Sequence, residues 1–195
     1  MCQFIETIQI SDGEIRLLEY HNRRMNRTIQ HYFGNNKPID LKEYIDSQNL
    51  MGKIKCRIIY DSKIIDISYT PYTRRSIQSL KLVQDDEIDY SYKSTDRSRL
   101  SFLAAQKGEA DEILIVRKGL LTDTSFSNIA LFDGYEWSTP AHPLLKGTRQ
   151  SYLIDQGLLH EKDIRVEDLY HYQKLSPINA MIDLGEIEIP IVNIK

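Results

Sequence analysis

The 195 residues hold only two cysteines, Cys2 and Cys56, and no CxxC pair. So thin a supply excludes a secreted disulfide framework and a zinc ribbon. Long apolar runs are also missing, since no window approaches the roughly 18 uninterrupted apolar residues of a membrane span. The opening MCQFIETIQI lacks the basic start and extended apolar stretch of a signal peptide. Nor is there an excess of positive charge: 25 basic against 28 acidic residues give a net charge of −3. No stretch is basic enough to grip a polyanion, which argues against nucleic acid as a partner. Catalytic signatures such as a nucleophile elbow, a Walker loop, a zinc helix or a dinucleotide G-x-G-x-x-G do not occur. His31, His142, His160 and His171 stand alone, as structural or solvated histidines do. What is present is ordinary for a globular chain, 41% hydrophobic and 27% charged, and long enough to bury a core without staples. The expectation is a cytoplasmic α/β or α+β protein with no membrane partner.

Turn residues and periodicity predict the elements. Residues 2–10 are Ile-rich and alternate, Ser11-Asp12-Gly13 reads as a hairpin turn, and 15–18 as the returning strand. Residues 20–33 run without Gly or Pro up to Gly34, a helix with its stop. A second helix is expected over 41–47, a second hairpin from 53–60 and 63–69, and another strand at 79–83. The acidic, aperiodic DDEIDYSYKSTD then separates two halves, residues 1–85 and 90–195. Beyond it, 98–107 has helical spacing, 112–116 and 128–132 read as strands, and 121–127 as a polar loop between them. Residues 148–156 form a helix opened by Gly147, and 180–192 a β-prone tail that ends at Pro190.

Three clusters carry candidate chemistry. In LLKGTRQSYL, Gly147 and Thr148 open a helix whose N–H groups and dipole favour phosphate, although a plain cap has the same sequence. Lys93 in YSYKSTDR has tyrosines on one side and Arg97 four residues on. It is either a desolvated amine of lowered pKa or an exposed linker lysine. Asp123 in TDTSFSN is either a working carboxylate or a turn residue bonded to its own backbone.

Taken in order, these fragments form a known pattern. FIETIQISDGEIRLLEYHNRR resembles the start of the class IV aminotransferases, the fold-type IV pyridoxal-phosphate (PLP) enzymes. There an F-E-T strand, a turn and a strand ending in leucine lead to H-x-x-R at the head of a helix. Glu6, Thr7, Gly13, Leu17, Leu18, His21 and Arg24 fall in those slots. YKSTDR resembles the family's Schiff-base lysine segment, and GLLTDTSFSNIALFDG its G-x-V-x-E-x-x-x-x-N-I-F strand and loop. STPAHPLLKGTRQ resembles its T-P followed by G-(I/V)-T-R, and SPINAMIDLGEIEIPIV its terminal N-(S/A)-L…P-V. The resemblance covers nearly the whole chain.

It implies a mixed α/β fold, with a small N-terminal α/β domain over 1–85 and a barrel-like PLP-binding domain over 90–195. It also implies a homodimer with the site between the halves. Lys93 becomes the catalytic residue and the attachment point of the cofactor, PLP. Asp123 takes the place of the glutamate that keeps the pyridine nitrogen protonated, and Arg24, Gly147 and Thr148 that of the phosphate groups. Arg97 meets a substrate carboxylate or forms a structural ion pair. The K-x-x-D-R pattern, with Ser98 where transaminases often carry tyrosine, implies the lyase branch acting on a small amino substrate. Branched-chain or D-amino-acid transaminases are the alternative, and a degenerate member that only binds or scaffolds is a third. The departures are Gln9 for an arginine, Lys146-Gly147-Thr148 for Gly-Ile-Thr, Ala180 for a serine, and a trimmed first sheet. They bear on substrate choice more than on the cofactor.

Overall fold

Asp12 and Gly13 both take left-handed φ angles, 49° and 83°, the geometry of a two-residue I′ hairpin. They join β1 (Phe4–Ser11) to β2 (Glu14–Ile15) in the computed structural model, which describes residues 2–34 and 37–195. The returning strand is shorter than its sequence suggests. Leu17 turns into the left-handed region (φ 54°) and the chain enters α1 (Leu18–Phe33) at once. Gly34, left-handed at φ 64°, ends that helix by donating its N–H to the Gln30 carbonyl.

β3 (Lys53–Tyr60) and β4 (Ile64–Pro71) form the expected second hairpin and complete an antiparallel sheet in the order β2-β1-β3-β4. Alternation decides its faces. Phe4, Ile8 and Ile10 of β1 and Ile54, Cys56, Ile58 and Tyr60 of β3 form one buried cluster with Met25 and Ile29 of α1. The helix expected over 41–47 is only a 3₁₀ turn, Leu41–Glu43, capped at its start by the Asp40 carboxylate, which accepts the Lys42 N–H, and ended at Tyr44, whose N–H donates to the Leu41 carbonyl.

Two compact units result, Met1–Thr73 with Tyr92–Asp96, and Arg74–Ser91 with Arg97–Lys195. In the second, β5 (Leu80–Gln84) runs parallel to β6 (Glu112–Arg117), which pairs antiparallel with β7 (Leu120–Thr124). A five-stranded sheet has the order β10-β9-β8-β11-β12. Its members are β8 (Asn128–Phe132), β9 (Trp137–Pro140), β10 (His160–Lys162), β11 (Lys174–Ile178) and β12 (Ile189–Pro190). α2 (Ser98–Ala104) packs Leu100 and Leu103 with Val83, Ile113 and Ile115. α3 (Thr148–Asp155) packs Leu153 with Ala130 and Ile178.

Three expectations are corrected here. The polar segment 121–127 is largely strand β7, buried because its hydroxyls find partners, as when Thr122 Oγ1 donates to the Ile115 carbonyl at 2.9 Å. The apolar tail 180–192 contributes only β12. No barrel closes among the described residues. β7 and β8 are joined by a tight Thr124–Ser127 turn rather than a shared ladder. β9 and β12 end on Pro140 and Pro190, which have no N–H for a further rung. Among the described residues, no helix is long and apolar enough to cross a membrane.

Candidate functional site

In the first unit the lysine segment is held against the edge of a strand by an isolated bridge. β2 pairs only with the far end of β1, at Ile10 and Ser11, so the near end of that edge is available. Residues 93–95 occupy it. Ile5 N–H donates to the Lys93 carbonyl at 2.9 Å, Thr95 N–H donates to Gln3 at 2.9 Å, and Phe4 faces Ser94 in an antiparallel bridge. Opposed residues share a face, so Lys93 leaves on the face of Ile5, Thr7 and Gln9, away from α1. Tyr92 alternates to the other side, where His31 stacks on its ring (centroids 4.8 Å apart, planes 15°) and Tyr32 meets it edge-on. Gln9 is also on the Lys93 face. It donates from Nε2 to Ser11 Oγ, while its buried Oε1 has no hydrogen-bond partner among the described residues.

On the α1 side, Glu6, His21 and Arg24 form a buried charged cluster. Their spacing explains it: H-x-x-R puts His21 and Arg24 on one helix face, opposite the inward position of Glu6. Arg24 donates from Nε to Glu6 Oε1 at 2.9 Å and from Nη2 to Oε2 at 2.6 Å, a bidentate pair. His21 Nδ1 meets Glu6 Oε2 at 2.6 Å. Burial pushes the Glu6 carboxyl up, but the Arg24 charge and the bonds from His21 and Arg24 outweigh it and bring the pKa down to about 2. Burial pushes the His21 imidazole below its ordinary value against the pull of Glu6, with Arg24 and Lys93 adding to the lowering. His21 is therefore neutral, with its Nδ1–H donated to the ionised Glu6. Arg24 is neither a surface residue nor unpaired, and Lys93 is near enough for its charge to act on His21.

In the second unit Asp123, at the end of β7, is buried and engaged at both oxygens. Asn128 Nδ2 donates to Oδ1 at 2.9 Å, and Leu145 N–H donates to Oδ2 at 3.0 Å. Asn128 Nδ2 also donates to the Leu145 carbonyl at 2.7 Å. Gly147 caps α3 in extended conformation and brings no side chain to its first-turn N–H groups; Thr148 is its first residue. Arg97, at the cap of α2, donates from Nη2 to the Ser125 carbonyl at 2.6 Å, in the turn between β7 and β8. The residues singled out from sequence therefore lie in two clusters. Lys93 and Arg24 belong to the first unit, and Arg97, Asp123, Gly147 and Thr148 to the second.

Residues 64–188 match the sequence profile of the family Amino-transferase class IV. The chain belongs to that family. An uncharacterized Haemophilus influenzae protein is 35% identical over 185 residues, 93% of this chain and 98% of its own. The crystal structure of a proposed 4-amino-4-deoxychorismate lyase from Haemophilus somnus superposes with a TM-score of 0.88 at 34% identity, covering 94% of this chain and 98% of that one. A hypothetical aminotransferase from Mycobacterium tuberculosis, in its PLP-bound form, shares the fold (TM-score 0.78, 17% identity, 99% and 81% covered). Sequence reading gave no role to Glu6, His21 or Asn128. Glu6 and His21 carried a usable signal, an acid on the inward face of β1 ahead of an H-x-x-R helix. Asn128 carried less, since only the fold brings it across the turn to Asp123.

Proposed function

We propose that this member of the class IV aminotransferase family is a PLP-dependent lyase acting on 4-amino-4-deoxychorismate, releasing pyruvate and leaving 4-aminobenzoate, a folate precursor. The observation that carries the reading is the Lys93 segment. Its backbone is fixed along β1 and its side chain leaves on the face of Ile5, Thr7 and Gln9, as a positioned base requires. The donor set also suits the cofactor: an amine to hold the aldehyde carbon, a buried carboxylate for the ring nitrogen, and a guanidinium with an uncapped helix start for the phosphate.

When bound, PLP supplies an electron sink for the carbon attached to the substrate nitrogen. Lys93 is the group that takes the proton from that carbon. Asp123 holds a proton on the pyridine nitrogen; it is one methylene shorter than the usual glutamate, and its oxygens retain acceptor capacity beside Asn128 and Leu145. Arg24 and the Gly147–Thr148 helix start are the phosphate groups. Because Glu6 offsets the Arg24 charge, Arg24 acts mainly as an oriented donor. The D-R pair after Lys93, Ser98 in place of tyrosine and the likeness to the Haemophilus somnus protein favour elimination over amino transfer. The family resemblance carries a homodimer, which sedimentation checks.

Borohydride reduction of the PLP-loaded protein followed by peptide mapping tests the reading directly. The pyridoxyl label is expected on Lys93; a label on Lys107, Lys118 or Lys146, or none, refutes it. With aminodeoxychorismate the products are pyruvate and 4-aminobenzoate. Amino transfer from branched-chain or D-amino acids to 2-oxoglutarate without aminobenzoate makes the protein a transaminase instead.

A further inference from the structure

Asn128 sits at the first residue of β8, across a rigid turn from Asp123 on β7. Thr124 fixes that turn: its N–H donates to the Ser127 carbonyl at 2.9 Å, and its Oγ1 accepts the Ser127 N–H at 3.0 Å. With Nδ2 bonded to both Asp123 Oδ1 and the Leu145 carbonyl, and Leu145 N–H bonded back to Asp123 Oδ2, the three residues form a closed ring of hydrogen bonds. The other end of the amide is equally constrained. A Cβ on Gly147 would lie 1.9 Å from Asn128 Oδ1. Gly147 has φ −76° and ψ 148°, a conformation any residue adopts. The glycine is therefore demanded by the approach of Asn128 and not by the backbone.

We propose that Asn128 is a positioning residue that sets the Asp123 carboxylate and the Gly147–Thr148 start of α3 at a fixed separation, so that one amide aligns the groups for the cofactor's ring nitrogen and for its phosphate. This rests on the PLP reading. The alternative is an asparagine that merely closes the turn between β7 and β8, in which case its loss weakens the fold and leaves cofactor discrimination unchanged. Positioning predicts a different signature. Both ends of the cofactor are mis-set together, so the advantage of PLP over pyridoxal, which lacks the phosphate, shrinks.

Two measurements separate these. First, thermal unfolding of the apoprotein is compared for Gly147→Ala, Asn128→Ala and the double variant. Gly147→Ala is expected to destabilise the wild-type background and to be tolerated once Asn128 is alanine; equal losses in both backgrounds overturn the contact. Second, apoprotein is titrated with PLP and with pyridoxal, following the visible band. Asn128→Ala is expected to bind PLP about ten- to a hundredfold more weakly, as for loss of a charge-assisted bond, with a smaller change for pyridoxal. Unchanged PLP affinity, or equal weakening for both ligands, overturns positioning. If Asn128→Ala does not fold, Asn128→Leu, close in volume, carries the same comparison, since it removes the donor without opening a hole or adding a charge beside Asp123. Failure of the wild-type protein to take up PLP sinks the functional reading itself, whereas normal uptake with an indifferent Asn128 sinks only this inference.

Discussion

Replacing Glu6 by glutamine probes the buried charge cluster most directly. Glu6 is fully buried and accepts two bonds from Arg24 and one from His21. Glutamine keeps the shape but loses the charge, and it turns one acceptor into an NH₂ facing other donors. Arg24, 9% exposed, is then a cation in the interior without its counter-ion. Breaking one side of such a pair costs about 3–5 kcal/mol, a large part of the ~5–15 kcal/mol that holds a domain together. Urea unfolding followed by circular dichroism should show this loss for Glu6→Gln. Removing both charges, in Glu6→Gln with Arg24→Met, should recover most of it, because no unpaired charge remains. The same double variant isolates the role of Arg24 toward phosphate. If Arg24 serves the cofactor, the double variant folds well yet binds PLP roughly ten- to a hundredfold more weakly. A loss below about 1 kcal/mol for Glu6→Gln, within the range of exposed ion pairs, would refute the argument.

Acid should act on the same cluster. The Glu6 pKa is lowered from 4.5 to about 2, so its contribution, roughly 3 kcal/mol, is present above the unfolded value and lost as pH falls between the two. His21, also lowered, excludes a proton that the unfolded chain accepts, so stability begins to decline below the ordinary histidine range. Urea midpoints measured from pH 7 to pH 3 should fall steadily, and Glu6→Gln should flatten the lower part of that curve. Thiol reactivity gives a cheaper check of the first unit's core. Cys2 is exposed, while Cys56 is buried with its thiol pushed up to about 12, so one thiol is expected to react in native protein at pH 8 and two in denaturant. Fast labelling of both in native protein would mean the sheet is open.

Much of the first unit was legible in the sequence because local rules and burial agree there. Asp12-Gly13, Gly34 and the alternation of β3 each have one structural solution, and the chain adopts it. The second unit resisted where polar residues are buried. Thr122, Asp123 and Thr124 look like loop residues until Ile115, Asn128, Leu145 and Ser127 supply their partners, and all of these but Ser127 come from other elements of the fold, beyond any local pattern. The short strands β9, β10 and β12 gain their identity only from neighbours in the sheet. The candidate site residues were singled out as chemical types, by motif order. Their bonding was not, because the Arg24–Glu6 pair spans 18 positions and the Leu145–Asp123 bond 22.

The placement of residues 92–96 sets how this protein can be divided. The chain leaves the first unit after Thr73, returns for Tyr92–Asp96, and departs again at Arg97. A gene fragment ending at Thr73 would thus encode a sheet with Glu6, His21 and Arg24 but with the near end of the β1 edge bare. A peptide carrying YKSTD could then be added in trans as a missing strand, paired by the backbone of Gln3–Ile5 and anchored by Tyr92 among His31, Tyr32 and Phe4. Lys93 would become an exchangeable part, and unnatural amines could be installed at position 93 by synthesis without recoding the rest of the chain.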